Sequence, residues 1–244
     1  MMSFYYKAYY GSTVMDMLTV LFVRVLFLSQ EFANTFANPV ITDFQNEVVT
    51  DDFAFVNRSG WNAEEPKQSL PLTTPVPYVV IHHSYLPPAC STREQCSRAM
   101  TQMQRMHVDT RGWWDIGYNF AVGGDGTVYE GRGWQILGAH ALNFNNVSIG
   151  ICLIGDWTNE LPPVQQLKAA QSLISAGVDR GYIKLDYKLV GHRQVRDTKC
   201  PGDTLFREIS QWKHFSSFPA SKADLINVKE IPKEIRDIWK KNGL

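Results

Sequence analysis

YVVIHHS, residues 78–84, is the stretch whose reading decides the fold. It is an apolar, β-branched run with Pro75 and Pro77 before it and Pro87 and Pro88 after it, which predicts a strand inside a sheet. Two histidines close the run. Consecutive side chains on a strand point to opposite faces, so one site can use only one of His82 and His83. An isolated pair of this kind is most simply one core histidine and one edge histidine. A functional reading needs partners from elsewhere in the chain.

Moving outward, Arg93–Val108 carries Ala99, Met100, Met103 and Met106 in a helical rhythm, with Ser91 or Thr92 placed to cap it. NFAVGGDGTVYEG (119–131) sets GGDG between two alternating runs, a hairpin signal, because glycine and aspartate tolerate positive φ. VSIGICLIG (147–155) reads as a second buried strand. Pro162 or Pro163 suits a first helical turn, after which Val164, Leu167, Ala170, Leu173, Ile174 and Val178 form one apolar face. YKLVGH (187–192) is a short strand, and Leu205–Trp212 a closing helix. Strands alternating with helices predict an α/β fold, one mixed sheet with helices packed on it.

The chain's 244 residues fit one domain with extensions, and a hydrophobic share of 44% supports a sizeable core. Basic and acidic residues balance at 24 each, which argues against a nucleic-acid partner without excluding a local basic pocket. Residues 1–55 read as a leader or N-terminal extension, 56–218 as the domain, and 219–244 as a C-terminal extension. MLTVLFVRVLFLS (17–29) has the length of a secretory core, yet Arg24 interrupts it, Asp16 precedes it and Lys7 sits far upstream. It is too short for a membrane span. The stretch is read as a secretory leader, with an intracellular leader as the alternative. Ile231, Ile235, Ile238 and Trp239 predict a short amphipathic helix docked on the domain. Asn57 and Asn146 match the glycosylation sequon, a pattern common by chance.

Four cysteines allow three pairings. Cys90 and Cys96 bracket a short loop and suit a local disulfide, while Cys152 lies in an apolar strand as a buried thiol. Cys200 has no obvious partner. It follows His192 by eight positions in GHRQVRDTKCPG, a spacing that no helix face would bring together. Two strand-end histidines and a loop thiolate are ligands that zinc takes, and three protein ligands with a fourth position open is the catalytic arrangement. Neither HExxH nor paired CxxC is present. A Cys–His nucleophile is the rival chemistry, ranked lower because Cys200 before a proline is not at a helix N-terminus that would activate it.

YVVIHHS, RGWWDIGYNFAVGGDGTVYEGRGW, GAHALNFN, VSIGICLIGDW, ELPP and GHRQVRDTKCPG together resemble the peptidoglycan recognition protein family, most of all its insect LB-type amidases. The likeness runs from about Val56 to Phe218. It implies the fold of phage-type zinc amidases, a central mixed β-sheet flanked by helices, with a groove above the metal. It implies N-acetylmuramoyl-L-alanine amidase activity on peptidoglycan, in innate immune regulation or antibacterial defence. The alternative is a receptor that binds without cleaving. Zinc ligands fall on His82, His192 and Cys200, and a catalytic tyrosine on Tyr118. Thr198 matches a position where amidases carry threonine or lysine. Gly112–Trp113 and Arg132 match residues that accompany diaminopimelate recognition, a guanidinium being suited to the extra carboxylate. His140 matches a groove residue near the sugar or lactyl group. The resemblance implies bacterial muropeptides, preferably of the diaminopimelate type, as partners; the charge balance argues against nucleic acid and the short apolar run against a stable membrane span.

Overall fold

The computed structural model describes residues 52–217. The leader and the C-terminal amphipathic stretch expected from the sequence lie outside these residues. Six strands form one mixed sheet: β1 (Ala54–Val56), β2 (Val76–His83), β3 (Phe120–Val122), β4 (Thr127–Glu130), β5 (Ser148–Leu153) and β6 (Ile183–Gly191). Their spatial order is β1-β4-β3-β5-β2-β6. The β3–β4 hairpin is antiparallel, and every other neighbouring pair is parallel. YVVIHHS is thus an interior strand, flanked by β5 and β6. The sheet begins slightly before Val56, because Ala54 already pairs with Thr127.

The period of two along the strands divides the core into layers. Val79 and Ile81, Ile149 and Ile151, and Phe120 and Val122 pack with α2 (Val164–Asp179), whose Ala170, Leu173 and Ile174 are buried. The alternate positions Ala121, Tyr129 and Cys152 face α1 (Arg93–Arg105) through Cys96, Met100 and Met103. Fully burying a side chain such as Met100 contributes ~1.5–3 kcal/mol over leaving it exposed. The Thr92 hydroxyl accepts the Gln95 N–H at 3.3 Å and so caps α1. A π-turn (Met106–Thr110) continues from that helix. Val164, expected on the apolar face of α2, is 64% exposed. It opens the helix directly after the Pro163 cap, and the residue of that turn facing the sheet is Gln166, whose amide donates to the Val122 and Ile154 carbonyls.

The expected local disulfide joins Cys90 and Cys96, while Cys152 is a buried free thiol and Cys200 is also free. Within GGDG, only Gly126 adopts positive φ, +80°. Gly123 and Gly124 are glycines for another reason: a Cβ there would lie 2.6 Å from the Cys96 sulfur and 2.3 Å from the Cys90 carbonyl oxygen, respectively. The hairpin therefore packs its backbone directly on the disulfide loop.

After β6, the short helix α3 (His192–Val195) and the following loop lead to α4 (Asp203–Ile209), which is shorter and earlier than the expected closing helix. Gly202 between them has φ +92°, and a Cβ there would come within 2.4 Å of the Trp157 carbonyl. Among the described residues, no helix is long and apolar enough to cross a membrane.

Candidate metal centre and groove

His82 lies near the end of β2, His192 directly after the adjacent β6, and Cys200 on the loop beyond α3. Parallel pairing of β2 with β6 therefore brings both histidines to the same end of the sheet. One ligand atom from each of His82, His192 and Cys200 lies within 4.8 Å of the others. His82 Nδ1 and Cys200 Sγ are 3.8 Å apart. Tetrahedral zinc with bonds of about 2.0–2.3 Å places its ligand atoms roughly 3.3–3.8 Å from one another, so this pair already has a suitable separation.

The electrostatics suit a cation. Burial, reinforced by neighbouring imidazoles, holds His82 well below its ordinary pKa, and burial lowers His192 to about 4. Both rings are neutral near pH 7, as metal ligation requires. Burial pushes the Cys200 thiol up to about 12, while the His83 main-chain N–H donates to its sulfur at 3.4 Å. A bound cation would reverse the burial effect and favour the thiolate. The donor set and its spacing fit zinc.

These residues sit in a groove of about 640 Å³. Tyr118 precedes β3, with its ring centroid 5.2 Å from that of His82. Burial, above all, raises its phenol well above the usual range, so the hydroxyl stays a proton donor. Trp113 also lines the groove and stacks on His107 at 4.8 Å, with Arg111 over its indole at 5.0 Å. Gly112 is exposed at φ +70° with open space where a side chain would stand. Thr198 lines the groove, but its hydroxyl oxygen accepts the Cys200 N–H at 3.2 Å, a loop-capping contact.

Two residues assigned to the ligand by resemblance also have partners inside the protein. Arg132 is not among the groove-lining residues. It is buried, with Nε donating to the Ile116 carbonyl at 2.6 Å and Nη1 to that of Leu137 at 2.7 Å, and it lines a smaller neighbouring cavity with Arg58 and Asp115. His140 does line the groove, yet it is only 7% exposed and lies 3.0 Å from His82, Nδ1 to Nε2. His83 also lines the groove, but its Nδ1 accepts the Trp157 N–H at 3.3 Å, with Asp156 3.7 Å away.

Sequence reasoning missed His107, Arg111 and Asp156, all of which line the groove. His107 sits in the π-turn after α1, and its Nδ1 accepts the Gly117 N–H at 3.0 Å. Its placement beside GWWDIGY was the available signal, but spacing alone does not predict where a turn of this kind aims a ring.

A strand-end histidine, a second histidine on the adjacent strand's loop and a cysteine beyond it, set in a groove on a mixed sheet, define the amidase class. The N-acetylmuramoyl-L-alanine amidase family model (Amidase_2) matches residues 72–203. Within that class, the chain belongs to the peptidoglycan recognition protein family. It is 55% identical over 161 residues to peptidoglycan-recognition protein LB of Drosophila melanogaster, a match spanning 66% of this chain and 69% of the relative. The solved structure of wild-type Drosophila PGRP-LB superposes with a TM-score of 0.67 at 53% identity, covering 68% of this chain and 98% of that one. Peptidoglycan recognition protein-LE in complex with tracheal cytotoxin, a monomeric diaminopimelic acid-type peptidoglycan, gives 0.66 at 44% identity, covering 67% and 96%.

Proposed function

We propose that the chain is a zinc-dependent N-acetylmuramoyl-L-alanine amidase acting on diaminopimelate-type peptidoglycan. The observation that carries this reading is the His82, His192 and Cys200 donor set, within 4.8 Å and opening on a groove beside Tyr118. When bound, zinc supplies Lewis acidity toward a carbonyl and lowers the pKa of water. The scissile amide joins the lactyl carbonyl of muramic acid to the amino group of the first stem residue. Tyr118 holds a proton that burial keeps on its oxygen, and donates it as a hydrogen bond where negative charge grows on that carbonyl oxygen. Trp113 and Arg111 form an aromatic and cationic wall for the stem peptide. Thr198 holds the Cys200 loop, so its part is to position a ligand rather than to move a proton.

The complex of the LE relative with tracheal cytotoxin supports a diaminopimelate-type ligand for this groove. Arg132 belongs to that specificity through its place beside Ile116 and Leu137, behind the groove wall. The domain read as 56–218, whose first strand begins at Ala54, is secreted and acts in innate immune regulation or antibacterial defence. Metal analysis together with chromatography of digested muropeptides tests the reading. One zinc per chain and released stem peptide are expected. Zinc-loaded protein that returns the muropeptide intact refutes catalysis and leaves a receptor.

A further inference from the structure

Ser148, on β5, donates its only hydroxyl proton to the Phe144 carbonyl at 2.6 Å. Its oxygen also lies 3.5 Å from His140 Nε2, where it can only accept, a long contact that favours the hydrogen on Nε2 of this buried ring. His140 Nδ1 is then a lone pair, and the group facing it at 3.0 Å is His82 Nε2. In that tautomer the proton between them sits on His82. That leaves His82 Nδ1 as a lone pair, directed toward Cys200 Sγ at 3.8 Å.

The ring of His140 is held for this task. Its main-chain N–H and that of Ala141 both donate to Asn145 Oδ1 at 2.8 Å. Two glycines leave it room: a Cβ at Gly138 would stand 2.5 Å from the imidazole, and one at Gly150 would stand 2.4 Å from it. The slot is therefore built from the backbone of β5 and of the GAH segment, and the ring cannot turn without moving a strand.

We propose that His140 is a positioning residue that fixes the proton of His82 on Nε2 and so presents the Nδ1 lone pair to the metal. The proposal deepens the zinc reading and rests on it. Metal-bound histidines generally hand their second nitrogen to such a partner, and losing the partner weakens metal binding about 10- to 100-fold. Here the partner is a second imidazole, with one serine hydroxyl near its far nitrogen. His140 also lines the groove, so this role stands beside the one the resemblance gives it near the sugar or lactyl group.

Long-range proton–nitrogen NMR on the metal-free wild-type protein reads the tautomer without any variant. A single Nε2–H form of His82 is expected, and an Nδ1–H form overturns the proposal. His140→Phe keeps the ring's bulk and removes both nitrogens, whereas His140→Asn keeps an acceptor near the place of Nδ1. Zinc competition titration should show the phenylalanine variant binding about 10- to 100-fold more weakly, with much of the loss restored in the asparagine variant. Cobalt-loaded protein should lose its tetrahedral visible absorption in the first variant and keep it in the second. Affinity within threefold of wild type in His140→Phe, with the His82 tautomer unchanged, rejects the role. Should Cys200→Ser leave zinc affinity unaltered, the metal reading itself fails, while the tautomer of the metal-free protein still judges His140.

Discussion

His107 makes the fold sensitive to acid in a way that one substitution can isolate. Burial first, then the nearby Arg111 and Arg132, lower its pKa from the ordinary 6.5 to about 3. Nδ1 is committed as an acceptor to the Gly117 N–H, and the ring is stacked on Trp113. Protonation would break the first contact and bury a positive charge that the Arg111 and Arg132 guanidinium groups repel. In the unfolded chain, the same ring takes a proton freely below about pH 6.5. The folded pKa is depressed, so the stabilisation is fully present above 6.5 and is lost as pH falls from there toward 3. Between pH 7.5 and 5.0 the unfolded state gains about 2 kcal/mol from this one group. His107→Asn retains an acceptor for Gly117 and does not titrate. Urea unfolding of the chelated protein at both pH values should therefore show the variant losing about 2 kcal/mol less than wild type. His82, His140 and His192 add their own acid sensitivity to both proteins alike, so the difference between the two is what counts. Equal losses would refute the reasoning and would mean that His107 is charged, or solvated, in the fold.

Cys200→Ser should abolish stem-peptide release and leave muropeptide binding within a few-fold of wild type, read by chromatography and calorimetry; persisting turnover rejects Cys200 as a ligand. Tyr118→Phe should keep the zinc content and lower turnover at saturating substrate about 100-fold, the scale of losing one donor to a developing oxyanion. An unchanged rate would return Tyr118 to a packing role. Arg132→Val leaves the carbonyls of Ile116 and Leu137 without their donor, so thermal unfolding should register a loss of about 2 kcal/mol. The same variant should weaken diaminopimelate-type binding more than lysine-type binding, and equal losses would leave Arg132 with only its structural part.

The residues that sequence reasoning reached share a property: their chemistry is carried by residue type and by proximity to a strand end. YVVIHHS is apolar on both faces because helices or loops cover both, so its interior place and the opposed directions of His82 and His83 follow from a period of two. Cys90 and Cys96 were close enough in sequence for geometry to pair them. His107 and Arg111 carry no such mark, because a π-turn redirects the chain just after a regular helix. Gly123 and Gly124 looked like turn residues, and the approach of a disulfide loop from another part of the chain is what actually requires them.

Hydrogen-bond commitments were the least visible layer, and they decide what a matched motif residue does. Asn119 has no exposed surface: its amide donates to the Gly133 and Ile136 carbonyls at 2.9 Å, and its oxygen accepts the Gly150 N–H at 2.9 Å. One side chain thus ties the hairpin and the loop after it to β5, next to the slot that holds His140. Nothing in DIGYNF separates that asparagine from the tyrosine before it. Arg132 and His140 show the converse, since a motif match identified both while carbonyls of Ile116 and Leu137 take two of the Arg132 donors and His82 meets one His140 nitrogen. A motif therefore fixes which residues surround a site. Which of them face the ligand follows only when each buried polar atom has been assigned a partner.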